Sequence, residues 1–484
     1  MSKPTDQPVP SLSRPQRPPV GPLLAVAMSA IVGLTALEGA VAAGTAPDIM
    51  PAPPPYRAPR LDARVVWDSH LPAGQVAQFT SFHLLDGLIY AIGTDGVVMT
   101  MRADTGEVSW IRRLVPEGDR LWPPLAYHAK DVNAVVFTLL HDVVLLDPKN
   151  GVEVNRLDVA KSCAAPVAVA PGHVFVMHPG GHLASYRLRD DYIHWRVSFD
   201  GYVSLAPLYV PALNIVVAAD EVGLVAGIKN VDRADHRVLF KHHLQSRPSG
   251  PLAQDGHMLY LSTENQLLHA IDMGETGPED KPGEIVWQYR LAGIPQGGPT
   301  LTGTAVYQST YGGGLQRIAK QPGEFRGWFD PAAREFLAEW SNGVVVLRGD
   351  GQIALIGRDP AAPLAVADAG GFDGGIPNPW NDAVFLTTRL GTIRCIRPAG
   401  APPLQLASFM PAAAPAPVEF EDRETAIDKL RREAAERRAK REQTPTVVEV
   451  TVPTPSPAVR AAEEAPAPRP APRDPLRSNI PVVE

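Results

Sequence analysis

The chain has 484 residues, longer than one ordinary compact domain unless that domain is a large all-β or repeat architecture. Its 45 basic and 52 acidic side chains give a formal charge of −7, which argues against a generic nucleic-acid binder. Two cysteines exclude a disulfide-built scaffold and any four-cysteine metal site, while 45% apolar residues suffice for a large core.

Proline divides the chain. Residues 1–60 hold 13, residues 401–484 hold 15, and the long stretch between holds 23. Residues 1–20 are polar, with Lys3, Arg14 and Arg17 against Asp6. A run without charge follows from Pro22 to Leu37, 16 residues long and short for a span of ~20. Ala40-Val41-Ala42-Ala43 then gives a small-residue end. Residues 1–43 therefore read as a signal peptide cleaved after Ala42 or Ala43, or as an uncleaved anchor. Both readings place the body outside the cytoplasm. No cysteine lies there to carry a lipid. Residues 44–62 read as a stiff linker, with Pro51, Pro53, Pro54 and Pro55 favouring extended polyproline.

Residues 63–410 repeat internally. The clearest copy opens on Asp86-Gly87, continues through Tyr90, turns at Asp95-Gly96, and closes on Asp104-Thr105-Gly106 and Trp110. Asp-Gly is the type I′ hairpin signal between antiparallel strands. Eroded copies carry Trp195 and Trp287 at the closing position. Starts near 86, 133, 172, 214, 256, 304, 342 and 382 make eight copies. Prolines 124, 166, 207, 251, 299 and 377 are read as opening the preceding strand, where a missing N–H removes no ladder bond. Strand-rich repeats of this period predict an all-β, eight-bladed propeller. Either Val65-Val66-Trp67 or Leu404–Phe409 completes the last blade.

Residues 411–484 are Pro- and Ala-rich, a disordered composition. Within them 421–443 holds seven acids and eight bases, with Asp428/Arg432 and Glu433/Arg437 spaced for a solvated helix.

The phrase from Asp86 to Trp110 resembles the PQQ-type β-propeller repeat, and the resemblance runs over roughly 63–400. One branch of that family holds quinoprotein dehydrogenases with calcium. The other holds non-enzymatic scaffolds of the BamB-type outer-membrane assembly factor. The resemblance implies an eight-bladed ring acting outside the cytoplasm. The quinoprotein branch is similar within itself in an adjacent cysteine pair, whereas Cys163 and Cys395 lie in different blades here. Pairing of the two is open in an oxidising compartment, but Cys395 follows the alternation of its strand and is expected buried and reduced.

Other chemistry is thin. His173, His178, His182 and His194 share one blade and are read as exposed turn and strand-end residues. His236, His242 and His243 cluster later. No nucleophile elbow or phosphate loop occurs, and Tyr311-Gly312-Gly313-Gly314 falls at a hairpin turn. No catalytic residue, cofactor or metal is assigned. Trp122, Phe325, Arg326, Trp328, Phe329 and Trp380 lie between strands and are the candidate contacts for a protein partner. The expectation is an exported, monomeric, non-catalytic scaffold for protein partners, without nucleic acid. Membrane association arises only through an uncleaved N-terminal segment. The alternatives are a PQQ- or sugar-binding enzyme and a membrane-anchored sensor.

Overall fold

The computed structural model describes residues 60–410 apart from 73–77, 130–131, 160, 190–191, 232–237, 275–280, 321–328 and 358–362. The signal or anchor segment, most of the linker, and the tail with its 421–443 segment lie outside the described residues.

The strand Phe79–Leu85 meets Leu88–Gly93 across a turn where Asp86 and Gly87 both take positive φ, 50° and 76°. This is the hairpin that Asp-Gly demands. Val97–Arg102 and Val108–Arg113 then add in order, giving a four-stranded antiparallel meander. Among the described residues eight sheets follow one another around a ring, seven of four strands and one of five, whose first strand is split into Ile294–Pro295 and Thr300–Leu301. After this first blade come 125–158, 168–198, 208–243, 253–290, 294–330 and 333–368, and the eighth contains 374–398. The eight repeat starts fall at or next to the step from first to second strand in each blade. Pro377 departs from its expected place: it follows the strand Gly374–Ile376 and does not open it.

The eighth blade settles the closure. Its outermost strand is Ala63–His70, paired antiparallel with Thr392–Pro398 so that Ala63 faces Pro398 and His70 faces Thr392. Leu406–Phe409 is instead a 3-10 helix on the lower side of that seam. Its Phe409 is fully buried, with its ring 6.0 Å from that of Phe385. Both ends of the ring are thus held by a strand from the beginning of the fold, which leaves no open first or last blade.

The core is circumferential. Among the described residues the buried apolar side chains form eight clusters, one at each seam between neighbouring blades. Second and third strands are covered on both faces, so Leu88–Gly93 and Val97–Arg102 are almost wholly buried. Outer strands cover one face only and alternate, as in Val108–Arg113.

The tryptophans at the repeat's close fasten each blade to the next. The indole N–H of Trp110 donates to Pro148 O at 2.9 Å, Trp195 to Asn230 Oδ1 at 3.0 Å, and Trp287 to Lys320 O at 2.9 Å. A register shift in the outer ladder just before each of these tryptophans re-aims the side chain across the seam. The rest of the signature is local. Tyr90 packs its ring 6.2 Å from Trp110 and 6.1 Å from Phe137 of the next blade. Asp95 accepts from the Val97 amide and pairs with Arg113 at 3.1 Å, while Asp104 takes Arg102 through both oxygens. Gly87, Gly96 and Gly106 all sit at positive φ.

Candidate binding faces

Because every blade is the same meander, the connections sort onto two faces. Turns between second and third strands, and crossings from blade to blade, share the upper face. Turns from first to second and from third to fourth strand share the lower face. Ala63 and Pro398, the ends of the two strands that close the ring, lie at the lower face.

The described residues include 18 large apolar side chains that are exposed. The four most exposed are Tyr202 at 69%, Leu390 at 68%, and Val222 and Tyr311 at 63%. All four belong to upper-face connections. Leu140 and Ile294 join them there. The lower-face connections carry exposed Val152, Tyr192, Leu364 and Trp380 as well, so what marks the upper face is that its four are the most exposed and that Tyr202 and Val222 adjoin there. Between the fourth and fifth blades this face opens into a shallow cleft of about 190 Å3, lined by Leu205, Asp220, Glu221, Arg247, Pro248 and Glu264 among others.

Of the sequence candidates, Trp122 is a correction. It is only 5% exposed and packs into the seam between the second and third blades, with the Arg120 guanidinium 4.7 Å above its ring. Buried there, it serves blade-to-blade packing. Trp380 is 45% exposed, on the lower face of the eighth blade. Phe329 opens a short outer strand, paired with Gln316, and not an inter-strand segment. Phe325, Arg326 and Trp328 lie outside the described residues. Tyr202, Val222 and Leu390 were not singled out from sequence; their signal was a large apolar residue inside an otherwise polar turn, as in Asp220-Glu221-Val222-Gly223.

The histidine reading also changes. His173 and His178 are buried, not exposed. His178 Nδ1 donates to Ser162 O at 3.1 Å and its Nε2 accepts from Tyr186 Oη at 3.0 Å, which satisfies both nitrogens and fixes the tautomer. Burial lowers its pKa from the usual histidine value. His236 lies outside the described residues.

The residues present do not fit a quinone with calcium. Cys163 is buried in the second seam and Cys395 in the closing seam, both as free thiols. Among the described residues no three His, Cys, Asp or Glu side chains converge as a metal site. Burial pushes both thiols up to about 12. No helix of the described residues is long and apolar enough to cross a membrane.

Comparison with known proteins agrees with this architecture. Residues 140–260 match the family model described as outer membrane protein assembly factor BamB. No curated protein matches the sequence. Among solved structures, BamB from Moraxella catarrhalis aligns with a TM-score of 0.52 at 15% identity, over 69% of this chain and 97% of that one. The computationally designed Ika8 protein gives 0.52 at 16%, over 68% and 98%. The C-terminal WD40 domain of Sif2 gives 0.51 at 11%, over 70% and 99%. Identities this low speak for the fold alone. The closed ring of eight blades and its tryptophan-fastened seams make this chain an eight-bladed β-propeller, and within it residues 140–260 are similar to the PQQ-like repeats of the matched family.

Proposed function

We propose that this chain is an exported, non-catalytic scaffold that binds protein partners through its upper face. That the four most exposed apolar side chains, Tyr202, Leu390, Val222 and Tyr311, all stand on that face carries the reading. Such side chains gain little from water and much from burial against a partner, roughly 25 cal/mol per Å2 of apolar surface covered. The export-like N-terminus supports an extracytoplasmic location. The likeness to BamB supports a place in outer-membrane protein assembly, as a finer form of the same reading.

The test is affinity purification of the full chain from envelope extracts after mild cross-linking. Recovery of outer-membrane assembly components supports the finer role. Recovery of other envelope proteins, lost on substituting Leu390 and Tyr311, supports the scaffold but ends the assembly role. A calcium-dependent absorbance change on titration with pyrroloquinoline quinone would overturn the non-catalytic reading.

A further inference from the structure

The upper face is uneven, and its fourth-blade sector has a chemistry of its own. Tyr202 and Val222 stand side by side there. The Glu221 amide donates to the Tyr202 carbonyl at 2.9 Å, and a Cβ built on Gly201 would come 3.2 Å from Val222. The cleft next to them continues the apolar surface with Leu205 and Pro248.

The charges around this patch do not cancel. Asp220, Glu221 and Glu264 line the cleft with a single guanidinium, Arg247, and Asp200 precedes Gly201, whose amide donates to Asp220. Asp220 is 1% exposed and occupied by backbone, accepting from the amides of Gly201, Val222 and Leu224. Arg247 is taken by Glu264 at 2.7 Å. Asp200 and Glu221 are exposed, and neither makes an ion pair with a described residue. The sector is therefore two apolar knobs and a cleft beside two exposed carboxylates, with acidic groups outnumbering the one guanidinium.

Resting on the scaffold reading, we propose that this sector docks a protein segment in which a large apolar side chain is flanked by lysine or arginine. Tyr202 and Val222 supply the apolar contact, and Asp200 and Glu221 select the basic flank. An acidic segment would place like charges together at a partly desolvated rim, which disfavours binding. The same repulsion disfavours nucleic acid and anionic lipid surfaces.

Selection of a random dodecapeptide phage library on the intact chain tests this. The expected peptides pair Lys or Arg with an apolar residue and weaken as salt is raised. Their affinity falls at least tenfold for Y202A/V222A and for D200K/E221K, and is unchanged for Y311A/L390A. All six positions are exposed, and thermal melts confirm that each variant keeps its fold. Acidic or uncharged winners, or winners indifferent to D200K/E221K, overturn the proposal. Winners that depend on Tyr311 and Leu390 end this proposal and leave the scaffold reading standing. Winners that map to the lower face, or no winners at all, end both.

Discussion

The ring of Trp67 lies flat against Gly106: a Cβ at that glycine would sit 2.6 Å from the indole. Trp67 comes from the first strand of the fold and Gly106 from a turn of the first full blade, so this contact spans the closing seam. The indole N–H also donates to Ala103 O at 3.1 Å. The next seam repeats the arrangement, with Gly151 under Trp110, and Gly283 lies likewise under Phe240. At these three seams the glycine of the turn between third and fourth strands is thus the seat for the previous blade's aromatic ring. Gly106 is at φ 75°, a conformation that costs an L side chain roughly 1–2 kcal/mol before any clash. Gly106→Val is expected to lower the melting temperature by several degrees, and an unchanged melt would refute this account of the seam.

The strand Ala63–His70 is the ring's fastener, so its loss should cost far more than its length suggests. A chain beginning at residue 72 is expected to lose cooperative unfolding and to bind a hydrophobic dye at the exposed seam of Phe385, Ile393 and Cys395. Adding a synthetic peptide of residues 60–72 should restore the sharp transition. A sharp transition without the peptide would place closure elsewhere.

Trp110 is 8% exposed, packs against the Tyr90 ring of its own blade and makes a hydrogen bond across its seam. Trp110→Ala is expected to destabilise by roughly 3–5 kcal/mol, the usual cost of deleting a buried tryptophan. Trp380→Ala, at an exposed lower-face position, should stay within about 0.5 kcal/mol. Denaturant titrations of the two variants check the contrast.

Burial raises both thiols, so neither Cys163 nor Cys395 should be alkylated in the native ring at pH 8. Both should react at once in guanidinium, with two alkyl groups added by mass. Native labelling of either would mean that its seam opens.

His269 is 2% exposed, and burial lowers its pKa to about 4. The unfolded chain takes up its proton near 6.5 and the folded chain only near 4, so the stability it contributes falls as pH drops through that window. It is full above pH 7. The melting temperature of His269→Gln is expected to fall less steeply than wild type between pH 6.5 and 4. Parallel curves would show that this histidine does not set the slope.

The blades were legible because their marks answer backbone and packing needs. Asp86-Gly87 fits a turn with two positive φ values, and Gly106 and Trp110 each serve a seam. Closure was not decidable from sequence, because Val65-Val66-Trp67 and Leu404–Phe409 both carry apolar residues; only pairing with Thr392–Pro398 distinguishes them. Trp122 was misplaced because Pro123 and Pro124 mark a connection without saying whether it folds into a seam. The upper-face residues were passed over because a repeat-based reading treats turns as spacers. Yet Val222 and Leu390 stand where the blade needs only a turn, and there a partner can be read. His178 escaped because nothing local announces that Tyr186 and Ser162 will satisfy it.

The central claim is that the upper face is the docking face. The most direct measurement is photo-cross-linking in the native cell with benzoylphenylalanine placed singly at Leu390, Tyr311 and Val222 on the upper face, and at Tyr192 and Trp380 on the lower. The account predicts discrete protein adducts from the upper positions and none from the lower two. Adducts confined to Tyr192 and Trp380 would contradict it.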